Sequence, residues 1–485
     1  MTTAIVDGLH FLGVIAMGTT ETDLHFLELT ELAARIRARE ISPVAVTKSQ
    51  LVRIASVDAA LGSYALVMAD VAMAEAASAE AEIAAGHYRG PLHGVPIAVK
   101  DVFWTKGFPS AAGMAVYKDF RPHDDATVVR RLKEAGAVLL GKLQMTEGAY
   151  SDHHPSVTPP KNPWNADYWP GISSSGPGVA TAAGLCFGAL ASDTGGSIRW
   201  PSAANGVTGL KPTWGRVSRY GVFELAATLD HIGAMARSAA DAGAMLNAIA
   251  GSDSKDPTAV LDPAPDYLTV MRQGVLGLSI GIDATWNNDD VDPATRAVVS
   301  EAAEVLRTLG ATIVDVEFPD VTQAIADWAP NCAVEAAAAH GATYPARKKE
   351  YGPVLASVME NGRALSGIDY QKILLRRLDL RGRVAALFSR IDLLLIPVHP
   401  FAPLTLATIR TLGEQPDLIA KLQRYTCPFD MTGHPTITLP GGFSETGLPI
   451  AFQLAAAYLG EATLVRAGAA FQDVTSWHRR RPDLT

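Results

Sequence analysis

Between Leu27 and Ala85 apolar residues recur at helical spacing: Ala33, Ile36 and Ile41, then Val44, Val46, Leu51 and Ile54. That periodicity predicts helices, and the alanine-rich Ala72–Ala85 stretch adds propensity to it. The pattern then changes. G-V-P-I-A-V-K-D (Gly94–Asp101) is a short continuous apolar run with β-branched residues, which predicts a buried strand ending on charge. A helix over Ala126–Ala135 leads through Gly136 into a second strand, Ala137–Lys142. The alternation returns at Pro293–Leu309 followed by Ala311–Val316, and further strands are predicted at Ile391–Pro397 and Thr436–Pro440. Runs apolar on both faces belong to covered sheets, so the chain reads as α/β with a largely buried sheet.

Punctuation adds one feature. Gly251–Asp266 is rich in Asp, Ser and Pro and reads as a linker-like surface stretch, either a domain boundary or a crossing within one large domain. No repeat of 20–50 residues is visible. The 485 residues are 48% hydrophobic and 19% charged, enough for a large core. A net charge of −9, with no basic run longer than Arg479–Arg481, argues against a nucleic-acid partner. No apolar run reaches the roughly 18 residues of a membrane span. The opening apolar tract is interrupted by Asp7 and His10 and lacks a basic flank, so no signal peptide is expected and the protein is read as cytoplasmic. The tetrapeptide LHFL occurs at Leu9–Leu12 and again at Leu24–Leu27, and translation starting at Met17 is an open alternative. Cys186, Cys332 and Cys427 lie far apart without CxxC spacing, which suggests a reducing compartment rather than a disulfide framework or zinc site.

Candidate chemistry concentrates in S-D-T-G-G-S-I-R-W-P (Ser192–Pro201), where two glycines lead into Ser197. Glycines let a backbone approach a ligand with its amides free to point at it. A G-x-S-x-G elbow fails because Arg199 stands at the last position. S-x-x-K occurs at Ser252–Lys255, but inside the linker-like stretch, where nothing shields a lysine from water. D-H-H-P (Asp152–Pro155) reads as a polar loop at a cleft edge, since adjacent histidines rarely converge on one ion and no H-E-x-x-H spacing exists. G-I-S-S-S-G-P-G-V-A-T-A-A-G (Gly171–Gly184) runs into a helical stretch and lacks a Walker lysine or G-x-G-x-x-G spacing, so it is no nucleotide site.

From Gly171 to Ser202 the chain resembles the amidase signature family nearly position by position: Ser173-Ser174, Gly176, Gly178, Asp193, Gly195, Ser197, Ile198, Arg199 and Pro201. The likeness extends to Gly94–Asp101, G-L-K-P-T-W-G-R-V-S-R-Y-G (Gly209–Gly221), L-D-H-I-G (Leu229–Gly233) and Phe429–Pro440. It spans residues 25 to about 475. It implies the family fold, a large mixed β-sheet core surrounded by helices, as a single domain over 25–485 behind an N-terminal extension over 1–24. Two departures touch the loop near the serine: Ile172 stands where the family has a smaller residue, and Ser175-Gly176-Pro177 replaces a second glycine pair.

The resemblance implies a triad of Ser197 as nucleophile, Ser173 as proton relay and Lys100 as general base. In the family the relay serine follows a cis peptide, here Ile172–Ser173. The backbone N–H groups of Thr194, Gly195, Gly196 and Ser197 would form the oxyanion hole, with Ser174, Asp193 and Arg199 in support. A lysine with an ordinary pKa near 10.4 must be desolvated to act as a base at neutral pH, and the apolar run before Lys100 predicts that. Alternatively Lys100 pairs with Asp101 or another acid. No metal or organic cofactor is required.

The implied activity is hydrolysis of linear C–N bonds in a small-molecule amide or carbamate, by a monomer or homodimer. The alternative is the glutaminase subunit of a tRNA-dependent amidotransferase. That subunit resembles the Gly209–Gly221 and Leu229–Gly233 blocks, but M-T-E-G-A-Y replaces its D-E-F-type continuation after Met145. A non-catalytic scaffold is disfavoured by the intact Lys100, Ser173 and Ser197. Residues 320–389, with Trp328, Tyr344, Tyr351, Met359 and Tyr370, match no block and are expected to wall or cover a pocket.

Overall fold

A computed structural model describes residues 24–484. The extension expected over 1–24 therefore lies outside the described residues, Leu24 apart. The predicted helical region resolves into helices Leu29–Arg37, Pro43–Leu61 and Ala69–Ala84, with an unpredicted strand, β1 (Tyr64–Val67), between the last two. The Pro43–Leu61 helix shows how local chemistry sets its ends. Ser42 Oγ accepts the Ala45 N–H at 3.0 Å, proline stands in the first turn, and Gly62 closes it in the left-handed region.

Ten further strands follow: β2 (Pro96–Lys100), β3 (Val138–Leu143), β4 (Gly188–Asp193), β5 (Thr208–Lys211), β6 (His231–Ala236), β7 (Ser279–Ile282), β8 (Thr312–Asp315), β9 (Leu393–Pro397), β10 (Thr436–Phe443) and β11 (Pro449–Ala456). They form one 11-stranded mixed sheet in the order β1-β3-β2-β4-β6-β5-β10-β11-β9-β7-β8. β2 runs parallel to both β3 and β4, whereas β4 is antiparallel to β6. Strands β2, β3, β4 and β6 are buried along their whole length, the polar Lys100, Lys142, Ser192, Asp193 and His231 included.

Four helices position the site: α1 (Ser175–Ala182), α2 (Arg199–Asn205), α3 (Thr322–Ala339) and α4 (Gly367–Phe388). Helix α1 is the serine- and glycine-rich stretch, buried at every residue. Its small side chains allow that: a Cβ on Gly176 would fall 2.5 Å from the carbonyl oxygens of Gln144 and Ser63. Pro177 sits in the first turn, where its missing N–H interrupts no helical bond.

The Gly251–Asp266 stretch is a pinned surface crossing. Ser218 Oγ and Thr127 Oγ1 each donate to Asp253 Oδ2 at 2.6 Å, and the Arg219 N–H donates to Asp256 at 2.7 Å. Residues 320–389 form α3, a helix Pro353–Ala364 and α4. Among the described residues no helix is long and apolar enough to cross a membrane.

Candidate active site

Lys100 ends β2, and Ser192 and Asp193 end the neighbouring parallel strand β4. Ligands of open α/β sheets bind outside such carboxyl ends. Lys100 has no exposed surface, and its Nζ donates to Ser173 Oγ at 2.7 Å and to Ser192 Oγ at 2.9 Å. The alternative pairing with Asp101 does not form. Asp101 instead meets Lys142 Nζ at 2.9 Å. Burial pushes the Lys100 ammonium down to about 7, with Asp193 and Asp230 opposing the shift.

Ser173 follows a cis peptide from Ile172, as expected. Ser174 Oγ donates to the Ser192 carbonyl at 3.1 Å, tying the serine loop to β4. Packing carries that loop onto the Ser197 turn: a Cβ on Gly171 would lie 2.4 Å from Pro201 Cα. The bonds of Lys100 end at Ser173 and Ser192. Ser197 is 6% exposed where Lys100 and Ser173 have no exposure, so it is the member of the three that solvent or a ligand reaches.

The turn between β4 and α2 is organised by Asp193. Its carboxylate accepts the N–H groups of Gly196 at 2.7 Å and Ile198 at 2.9 Å, and two Arg199 bonds at 3.0 and 2.7 Å. Burial would raise its pKa, but the Arg199 guanidinium overrides that and holds the carboxyl well below the usual range. Arg199 also bonds Asp430 and, at 2.7 Å, the Thr426 carbonyl, so the Phe429–Pro440 block closes on the turn. Of the four amides expected to form an oxyanion hole, the Gly196 N–H already has an acceptor in Asp193.

Glycine is required at both turn positions. A Cβ on Gly195 would lie 2.5 Å from the Trp328 ring, and one on Gly196, at φ +143°, 2.4 Å from Trp200. Trp328 Nε1 donates to the Thr194 carbonyl at 2.8 Å, and its ring stacks with Tyr150 at 6.2 Å between centroids. The other aromatics named in this region lie elsewhere: Tyr344 and Tyr351 meet edge-on at 5.6 Å, and Tyr370 bonds Glu335 at 3.0 Å.

The remaining sequence candidates do not join this cluster. His153 Nε2 bonds Ser175 Oγ at 3.1 Å, whereas His154 Nδ1 bonds Ser156 Oγ at 2.7 Å, so the adjacent histidines serve different partners. Lys255 is half-exposed and faces Asp124 at 3.9 Å. All three cysteines are buried free thiols. Sequence reasoning missed Ser192, Asp230 and Tyr150. Thr194 Oγ1 donates to Asp230 Oδ1 at 2.6 Å, a contact that follows from the β4–β6 register pairing Asp193 with His231.

The Amidase family matches residues 45–465. The chain is 48% identical over 459 residues to "Putative amidase AmiD" of Mycobacterium tuberculosis, covering 94% of this chain and 96% of that one. It is 37% identical to a glutamyl-tRNA(Gln) amidotransferase subunit of Chloroflexus aurantiacus, covering 96% and 99%. A solved structure described as revealing the evolutionary origins of an s-triazine catabolic enzyme superposes with a TM-score of 0.86 at 31% identity, covering 92% of this chain and 98% of that one.

Proposed function

The chain belongs to the amidase signature family, and from that premise we propose that it hydrolyses linear C–N bonds through Ser197, Ser173 and Lys100. The observation that carries this reading is the buried Lys100 amine at 2.7 Å from the Ser173 hydroxyl, with no carboxylate bonded to it among the described residues. Ser197 Oγ attacks the acyl carbon while its proton passes to Ser173 and the Ser173 proton to neutral Lys100. The C–N bond then breaks, the amine leaves with the proton returned along the same path, and an ester to Ser197 remains. Water repeats the sequence and releases the acid. The N–H groups of Thr194, Gly195 and Ser197 meet the oxyanion, each donor supplying ~2.7–4 kcal/mol toward the transition state.

For substrate class, the Tyr150–Trp328 stack beside the turn favours a flat apolar group, so aryl amides and carbamates stand beside aliphatic amides. The glutaminase reading is kept because 37% identity to one amidotransferase component runs through nearly the whole chain. An assay of purified protein alone with anilide, carbamate, ester and glutamine substrates separates the readings. Turnover of the anilide or carbamate without partner subunits is expected. Turnover of glutamine alone, rising when partner subunits and tRNA are added, would transfer the assignment.

A further inference from the structure

The carbonyls of Thr194, Gly195 and Gly196 are each held from behind. Trp328 Nε1 donates to Thr194 O at 2.8 Å, Cys427 Sγ to Gly195 O at 3.4 Å, and the Trp200 N–H to Gly196 O at 2.8 Å. A trans peptide is planar, with its C=O and N–H on opposite edges. Each pinned carbonyl therefore sends the next residue's amide the other way. The Gly196 amide ends on Asp193. The Ser197 amide is aimed by the main chain of α2. Of the two amides not spent on Asp193, the Gly195 amide is the one aimed by a side chain far off in sequence, the Trp328 indole of α3.

Thr194 is held a second time through its hydroxyl. Asp230 Oδ1 accepts it at 2.6 Å, while Asp230 Oδ2 accepts the N–H groups of Leu225 and Ala226 at 3.0 and 3.1 Å. The loop bearing Asp230 is tied to the same helix as Trp328. Glu335 of α3 accepts the Thr228 N–H at 2.7 Å, and Arg377 of α4 donates to the Thr228 carbonyl at 2.9 Å.

We propose that Trp328 and Asp230 are positioning residues: their clamp on Thr194 aims the Gly195 N–H at the developing oxyanion. The inference rests on the oxyanion hole proposed above. It makes the α3–α4 region part of the alignment of the reacting groups rather than only a wall.

The two residues differ in charge, which separates their roles from mere packing. Asp230 is one of two carboxylates facing Lys100, the other being Asp193, and it is itself faced by Arg219 and the Cys332 thiol. Removing its charge takes away support for the Lys100 ammonium. Removing the indole N–H does not.

The test uses Trp328→Phe, Asp230→Asn, Thr194→Val and Thr194→Ser in the full chain, each checked for an unchanged melting curve. Readouts are kcat and KM for an amide the wild type turns over, and Ki for the matching trifluoromethyl ketone and its alcohol. The ketone forms a tetrahedral adduct with an oxyanion; the alcohol forms none. Trp328→Phe is expected to lose about 10- to 100-fold in kcat, within the cost of one misaimed oxyanion donor. KM should stay within about threefold, the ketone Ki should rise by the factor lost in kcat/KM, and the alcohol Ki should hold. Asp230→Asn should match that loss and move the acid limb of the pH–rate profile to lower pH. Thr194→Val should reproduce the loss without the pH displacement, and Thr194→Ser should restore the rate. Should Trp328→Phe not fold, the two Thr194 variants decide. Unchanged kcat in Trp328→Phe or Thr194→Val, or equal weakening of ketone and alcohol, overturns the inference. Ser197→Ala run alongside keeps the levels apart: retained turnover there removes the nucleophile assignment, whereas its loss beside a normal Trp328→Phe removes only the clamp.

Discussion

Lys100 and Lys142 stand at or near the ends of the neighbouring parallel strands β2 and β3, neither with any exposed surface, yet their ammonium groups meet opposite surroundings. Lys142 Nζ faces the Asp101 carboxylate at 2.9 Å and also donates to the Phe103 carbonyl at 2.7 Å and Ser110 Oγ at 3.0 Å. Burial lowers its pKa, and the adjacent carboxylate works against the shift. Lys100 receives two hydroxyls and no directly bonded carboxylate, and burial takes it to about 7. A third buried lysine, Lys211, shows that depression alone is not enough. Burial pushes it down to about 7 as well, but its Nζ donates to the His434 and Pro212 carbonyls at 2.7 and 3.3 Å, which have no proton to give. A base needs a lowered pKa, a hydroxyl within reach and no carboxylate bonded to it, and of the three only Lys100 meets all of these. Lys142 has Ser110 beside it but is paired with Asp101, and Lys211 reaches carbonyls alone.

The largest effect that would break this comparison belongs to Lys100→Met. Methionine keeps the stem volume and removes the proton acceptor, so kcat should fall by ~10²–10⁴-fold, the range for a general acid–base group. In the wild type, kcat/KM should rise with pH through about 7 as the ammonium loses its proton. A methionine variant with a near-normal rate and the same pH profile would return Lys100 to a structural role.

Lys142→Met should do the reverse, injuring the fold and sparing the chemistry. It strands the Asp101 carboxylate in the interior, and breaking a buried pair this way costs ~3–5 kcal/mol. Urea titration should register that loss, while the acid limb of the rate profile stays in place for the protein that remains folded. A displaced limb would mean that Lys142 and Lys100 share one titration.

How much of this was legible in sequence depends on how local each contact is. Lys100, Ser173 and Ser197 stand in contiguous blocks that carry the likeness to the family, and it is that likeness which suggests their roles. Ser192 reads as one more strand residue in G-A-L-A-S-D, because its role comes from the β2–β4 pairing that brings it to Lys100. Asp230 lies within a recognisable block, yet its contact with Thr194 exists only in the β4–β6 register. Trp328 stands out in sequence for its size alone, and composition cannot tell a core indole from one bonded to a catalytic turn. Six strands escape prediction, β1, β4, β5, β6, β7 and β11, and for β1 and β6 the reason is related. β1 has four residues between two helices, and H-I-G-A-M-A is half glycine and alanine, with Ile232 its one β-branched residue. Within Gly171–Gly184 the Ser175–Ala182 helix begins on serine, glycine and proline, residues of low helix propensity, because neighbouring backbones leave room at Gly176 only for a small side chain.

The same lysine makes a prediction about stability. In the unfolded chain Lys100 titrates near 10.4, and in the folded protein burial brings it to about 7. Between those values the unfolded state binds a proton that the folded state does not, so stability gains from rising pH across that window. Below about 7 both states are protonated and the contribution is constant. Lys100→Met should flatten this slope, so its melting temperature relative to wild type should be most favourable near pH 7 and fall away toward pH 10. A parallel pH dependence in the two proteins would place the folded Lys100 pKa near its ordinary value.

The smallest change expected is that of Ser192→Ala, and it sharpens the contrast most finely. Ser192 Oγ is the second hydroxyl on Lys100 Nζ, at 2.9 Å, while the main-chain carbonyl of the same residue holds Ser174. Alanine leaves the strand and that carbonyl bond intact and removes only the acceptor. One hydrogen bond contributes ~0.5–1.5 kcal/mol net, about 2- to 12-fold in rate if it serves to point the amine at Ser173. The ammonium form gains more from an oxygen acceptor than the neutral amine does, so losing it should also move the acid limb slightly to lower pH. A rate loss as deep as that of Lys100→Met would make Ser192 a relay in its own right. No change in either rate or limb would leave Ser173 as the sole hydroxyl that orients the base.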